Sequence, residues 1–187
     1  METNKHKASV VIVYTGEGKG KTSASLGLLG RALGNNLRVA FIQFVKAWDV
    51  SEHQFLRTIM PLYKNHLFFY KGGMGFYNAG KLSALGVTEE QHKQAAEQTY
   101  QIAVEVSKNG KFDLVICDEI NNALHDGLIN IKELKSLISD RCPTTSLCLT
   151  GRNYPKTLLP LADIATDMTK LKHHYDDGYL AQKGIDY

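Results

Sequence analysis

An α/β domain with a mainly parallel sheet, covered by helices on both faces, is the architecture this sequence predicts. Short β-branched or apolar runs alternate along the chain with helix-period segments, the order that builds βαβ units. Those runs are nearly continuous in apolar residues, as strands buried on both faces are. Right-handed crossovers then gather the loops that follow the strands along one edge of the sheet, where ligands sit in such folds.

The run Ser9-Val10-Val11-Ile12-Val13-Tyr14, closed by glycines, predicts the first strand. Lys21 to Leu33 carries Ala24, Leu26, Leu28, Leu29 and Leu33 and predicts a helix, with Gly34 as its stop. Arg38 to Phe44 is a second strand and Leu67 to Tyr70 a short third. Thr88 to Asn109 is the clearest helix. Thr88 and Gln91 have capping-box spacing, Gly110 follows the last turn, and Ala95, Ala96, Ile102, Ala103 and Val106 share one face. Phe112 to Cys117 is a buried strand. Asn130 to Ser139 is a short helix, with Asn130 as cap and Glu133 three residues later. Ser146 to Leu149 is a strand, Pro155 to Leu161 a helical turn and Ile164 to Met168 a last strand.

The 187 residues fit a single domain, 1–187, with residues 1–8 expected to be flexible. Hydrophobic residues are 43% and charged residues 22%, an ordinary globular balance. A formal charge of +3, with no long basic block, argues against nucleic acid as a partner. Met1 to Lys7 is polar and lacks the apolar core of a signal peptide, and no apolar stretch reaches membrane-spanning length. Cys117 and Cys148 lie inside apolar runs and Cys142 completes an odd count, so buried reduced thiols are expected. The expectation is a cytoplasmic protein with no membrane partner.

The segment Thr15-Gly16-Glu17-Gly18-Lys19-Gly20-Lys21-Thr22-Ser23 holds the chemistry. Glycines let backbone N–H groups turn inward around phosphate oxygens. Lys21 can reach the outer phosphates, the Thr22 hydroxyl can hold Mg²⁺, and a helix starts there, favouring anions. This is a P-loop, and it makes the domain P-loop NTPase-like (RecA-like), binding ATP with Mg²⁺. Thr15 stands where the usual pattern has glycine. Glu17 is an acid beside a phosphate site, and must point outward or be offset by Lys19. The acidic pair Asp118-Glu119, ending an apolar strand, is the usual magnesium-holding partner of such a loop. The metal set is therefore Thr22, Asp118 and Glu119. Alternatively, Asp118 only caps the next helix.

The Gly-x-Gly-Lys-Gly-Lys-Thr form of the loop resembles the ATP:corrinoid adenosyltransferases. The same order of matches continues with Arg31-Ala32-x-Gly34, with Phe41-Ile42-Gln43-Phe44-Val45-Lys46 and Trp48, and with Gly73-Met74-Gly75-Phe76. Asp118-Glu119, Thr150-Gly151-Arg152, Ala162-Asp163, Lys172-His173, Gly178, Ala181 and Gly184-Ile185-Asp186 complete it. The likeness runs from about Val10 to Tyr187 and is patchy between Asp49 and Leu67. It implies attack of cobalt(I) of a corrinoid on the 5′ carbon of ATP, with triphosphate leaving, in adenosylcobalamin synthesis or salvage. Lys21, Thr22 and Glu119 are then the catalytic residues, stabilising charge on the leaving group together with Mg²⁺. Gly75, Phe76 and Tyr77 are the implied corrinoid contacts. The family pattern often reads Gly-Phe-Thr-Trp, whereas here Tyr77 and Asn78 replace the last two. An external reductant or flavoprotein supplying cobalt(I), and a homodimer, are implied as partners.

Arg152, after a strand, is expected on the ligand edge as a phosphate contact, or else paired to Asp163 or Asp167. Adjacent His173 and His174 cannot face one metal from a regular element; His173 lies near the triphosphate by resemblance, or is a surface histidine. Lys46 contacts nucleotide by resemblance alone. Trp48, Phe68, Phe69 and Tyr70 are expected mostly in the core. From the loop and acidic pair alone, a phosphotransferase of nucleoside-kinase type is an alternative; Asn78 in the family's Trp position, with Thr15 and Glu17, leaves a non-catalytic ATP- or corrinoid-binding protein as another.

Overall fold

The computed structural model describes residues 7–75, 77 and 86–187. Strands β1 (Val11–Thr15), β2 (Val39–Gln43), β3 (Leu67–Lys71), β4 (Leu114–Asp118), β5 (Ser146–Thr150) and β6 (Ile164–Asp167) form one six-stranded sheet in the order β3-β2-β4-β5-β1-β6. Every pairing in it is parallel. One strand, β5, separates the loop strand β1 from the acid strand β4, which is the RecA-like arrangement of a P-loop sheet. Register sets Gln43 opposite Asp118 and Tyr14 opposite Thr150, so the carboxyl ends of four strands finish at one edge.

Side chains alternate across the sheet and meet helices on each face. Val11, Val13, Ala40 and Ile42 pack with Ala96, Tyr100 and Ala103 of α3 (Glu89–Lys108), Ile120 of α4 (Ile120–His125) and Leu134 of α5 (Ile131–Ser139). On the other face Ile12, Phe41 and Ile116 pack with Leu29 and Leu33 of α1 (Lys21–Gly34) and Leu56 of α2 (Ser51–Ile59). Each fully buried aliphatic side chain contributes about 1.5–3 kcal/mol of transfer free energy, so both layers are needed to hold the sheet flat against its helices. Capping boxes at Thr88/Gln91 and Asn130/Glu133 start α3 and α5 as their spacing predicts. Buried Cys117 and Cys148 are free thiols, as is the partly exposed Cys142.

Four expectations change. Helix α1 runs through Gly34 instead of stopping at it. Asn36 takes the left-handed conformation (φ 61°), Leu37 N–H donates to Ala32 O and Asn36 N–H to Leu33 O. That is a Schellman closure with asparagine in the glycine role. Helix α2 falls in a stretch with no predicted element. Val50 caps it without a side-chain hydrogen bond, and only His53 and Leu56 are buried, so packing rather than local signal makes it a helix. Trp48 is not core but 44% exposed, while Phe68, Phe69 and Tyr70 are half-buried. Strand β6 is an exposed edge, whereas the other edge strand β3 is half-buried and the four strands between them are largely buried.

Candidate functional site

The loop between β1 and α1 carries its glycines for a steric reason. Gly16 (φ 99°) and Gly20 (φ 112°) take left-handed backbone. A Cβ on Gly16 would collide with the Asp167 carboxylate and Met168 backbone, and one on Gly18 with Met168 O. The chain leaving β6 therefore clasps the loop, and Gly18 N–H donates to Met168 O at 2.6 Å. Lys21 Nζ turns back on the loop, donating to Gly16 O and Gly18 O at 2.6 Å each. Burial, then the charge of Arg152, pulls its pKa below the ordinary lysine range, with Glu17, Glu119 and Asp118 opposing. A partly desolvated ammonium in this position has most to gain from an incoming anion.

Facing the loop, the carboxyl end of β4 presents the acidic pair. Asp118 is fully buried. Its Oδ1 accepts from Thr150 Oγ1 at 2.6 Å and its Oδ2 from Thr22 Oγ1 at 3.2 Å. Asp118 thus does not cap α4. Glu119 occupies the N-cap position instead, without a side-chain bond and with φ 63°. Left-handed backbone at a non-glycine residue costs on the order of 1 kcal/mol and is held here by Thr150 Oγ1, which accepts from Glu119 N–H at 2.9 Å. The turn swings the Glu119 carboxylate towards Gln43, whose Nε2 donates to Oε2 at 3.4 Å, and towards Lys46 Nζ at 3.8 Å. Burial pushes both carboxyls up, with Lys46 opposing the shift at each. Burial pulls Lys46 down, but Glu119, Asp118 and Glu52 outweigh it and hold the ammonium above its ordinary range. Two carboxylates and a hydroxyl in one low-dielectric corner make a donor set for a hard divalent cation. No group of three or more His, Cys, Asp or Glu residues suited to a metal occurs among the described residues. Such an ion would complete its shell with hydroxyl, water and phosphate oxygens.

Loop and acids open into a cavity of about 1160 Å³, larger than a single small ligand requires. Its far wall holds Trp48, Phe55 of α2 and Tyr77, whose ring lies 5.2 Å from that of His92. The last segment crosses over it. Asp186 pairs with Lys19 at 2.7 Å, and Ser51 Oγ donates to Tyr187 O at 2.8 Å on the opposite side. Lys19 first, then the Gln182 N–H, hold the Asp186 carboxyl down at about 2.

Of the residues singled out from sequence, Glu17, Gly18, Lys19, Gly20, Lys21, Thr22, Ser23, Tyr77, Glu119 and Arg152 line this one cavity. Thr15, Gly16, Gly75 and Asp118 do not. Thr15 Oγ1 accepts from Tyr154 N–H, and buried Gly75 donates its N–H to Val45 O at 2.8 Å. Phe76 and Asn78 lie outside the described residues. Arg152 reaches the ligand edge, but its partner is Glu17 at 3.0 Å rather than Asp163 or Asp167. Glu17 points outward, as one of its two expected placements had it, and its partner there is Arg152, not Lys19. His173 also lines the cavity, 4.0 Å from Asp186. Sequence reasoning missed Glu52 and Phe55, which arrive with the unforeseen α2, and quoted Thr150 only within a motif, without its role of holding Asp118 and Glu119.

Residues 7–187 match the family model described as ATP:corrinoid adenosyltransferase BtuR/CobO/CobP. The chain is similar to the corrinoid adenosyltransferase of Sinorhizobium sp, at 31% identity over 189 residues covering 100% of this chain and 84% of that one. It is 30% identical to the corrinoid adenosyltransferase of Pseudomonas aeruginosa over 183 residues, covering 95% and 83% of the two chains. It is also 30% identical to the corrinoid adenosyltransferase CobA of Salmonella typhimurium over 186 residues, covering 95% and 85%.

Proposed function

The chain belongs to the ATP:corrinoid adenosyltransferase family, and from that premise we propose how its site divides the work. The reaction is transfer of the 5′-adenosyl group of ATP to the cobalt(I) of a corrinoid in adenosylcobalamin synthesis. The cobalt electron pair forms the Co–C5′ bond while the C5′–O bond breaks, and triphosphate leaves with that bond's electrons. Cobalt(I) is its own nucleophile, so no general base is needed.

The loop holds the leaving group. Backbone N–H groups from Lys19 to Ser23, at the start of α1, would face the triphosphate, and Lys21 exchanges its two loop carbonyls for phosphate oxygens. Lys19 and Arg152 supply further positive charge on leaving their acidic partners. The residues present fit Mg²⁺: Thr22, Asp118 and Glu119 would hold it, and when bound it neutralises charge on the triphosphate. The observation that carries this assignment is the hydroxyl of Thr22, which lines the cavity, 3.2 Å from the fully buried Asp118 carboxylate behind it. Gly75, Phe76 and Tyr77, with the aromatic far wall, take the corrinoid. The size of the cavity supports two substrates meeting in it.

We place the protein in the cytoplasm as one domain acting in a homodimer, fed with cobalt(I) by an external reductant or flavoprotein. No helix among the described residues is long and apolar enough to cross a membrane.

Anaerobic incubation with chemically reduced cobalamin and Mg-ATP tests the reading. Adenosylcobalamin and triphosphate, seen in the visible spectrum and by chromatography, are expected. ADP as the nucleotide product, or ATP left intact with cobalamin and with its precursor corrinoids alike, would overturn it.

A further inference from the structure

Gln43 ends β2 directly opposite Asp118 in the register and is fully buried. Its Nε2 donates to Glu119 Oε2 at 3.4 Å, which fixes the amide's orientation. Its Oε1 is buried and has no hydrogen-bond partner among the described residues. An amide oxygen in that state forfeits its hydration without return, and folded proteins keep few such groups. Among the described residues none donates to it. Lys46 is engaged by Glu52 at 2.6 Å and lies 3.8 Å from Glu119. Thr22 and Thr150 direct their hydroxyls to Asp118. What this corner lacks is a donor that tolerates two neighbouring carboxylates, and a water polarised by a divalent cation is one. Magnesium usually retains several such waters, and residues that hold them commonly change metal affinity.

We propose that Gln43 is the positioning residue of the cation site: its Oε1 accepts from a cation-bound water while its Nε2 fixes the Glu119 carboxylate. This rests on the assignment of Thr22, Asp118 and Glu119 as the Mg²⁺ site. It also gives a reason for an amide at this position, because a carboxylate would add a third negative charge and an aliphatic side chain would hold no water.

The test measures ATP binding by calorimetry with and without Mg²⁺, and the melting temperature of the metal-free protein. Neither readout needs corrinoid or turnover. Gln43→Met should reduce the Mg²⁺ enhancement of ATP binding by about 10–100-fold. Its metal-free ATP affinity should stay within about twofold, and its metal-free melting temperature should hold or rise, since the unpartnered oxygen is gone. A Met variant with its Mg²⁺ enhancement intact, or a fall in metal-free melting temperature as its only effect, would each overturn the proposal. Wild-type protein that binds ATP equally well with and without Mg²⁺ would instead remove the cation assignment itself, and shows this before any variant is made.

Discussion

At the phosphate end of the cavity, Lys21 and Thr22 open helix α1 and Asp118 ends the buried strand β4, and each polar group has a short-range partner. At the far end Trp48 and Phe55 are 44% and 48% exposed, Trp48 just ahead of α2 and Phe55 on it, a helix that local signals do not announce. The first region is set by backbone geometry: glycines that admit the Met168 strand-end, a left-handed turn at Glu119, and a register that aligns β2, β4 and β5. The second is set by side-chain area on a looser frame. The difference teaches that an invariant anionic group needs fixed donors, whereas a large flat ligand can be taken by aromatic surface whose precise source in the chain matters less.

The largest expected effect breaks the phosphate end alone. Lys21→Met should weaken ATP binding by roughly 100-fold or more, the scale of a lost charge-assisted contact, with little change in melting temperature. Calorimetric titration checks it, and unchanged affinity would remove the loop from the site. Trp48→Ala sharpens the contrast from the other side. It should raise the corrinoid KM about tenfold, the order of one aromatic contact, and leave ATP affinity unchanged. An equal loss for both ligands would assign Trp48 to the nucleoside instead.

A pH series reads the buried acids. Asp118 and Glu119 sit above the ordinary carboxylate range in the folded protein, so the native state retains protons that the unfolded chain has released. Metal-free stability should therefore fall as pH rises from the ordinary carboxylate range towards neutrality. Mg-ATP binds the deprotonated pair, so its stabilising shift in melting temperature should be greater at pH 8 than at pH 5.5. A shift that does not vary with pH would mean that the acids do not meet the metal. The smallest effect belongs to the strap. Asp186→Asn frees Lys19 of a half-exposed ion pair, and ATP should bind about two- to fivefold more tightly. Weaker binding would show that Asp186 supports the nucleotide rather than competing with it.

Much of this was legible in the chain. Strand–loop–helix order, the Lys21-Thr22 pair and Asp118-Glu119 are contiguous signals, and each depends on backbone rules that act within a few residues. The capping boxes of α3 and α5 are local for the same reason. What the tertiary structure alone decided involves partners far apart in sequence. Arg152 chose Glu17, Lys19 chose Asp186, and α2 formed because Leu56 finds the sheet face beside Phe41. Gln43 could be quoted from the sequence as part of a motif, but only the register that sets it against Asp118 shows its oxygen to be without a partner. Pairings between charges and unmet hydrogen bonds depend on distance and burial. Those are properties of the folded chain that no short window of residues contains.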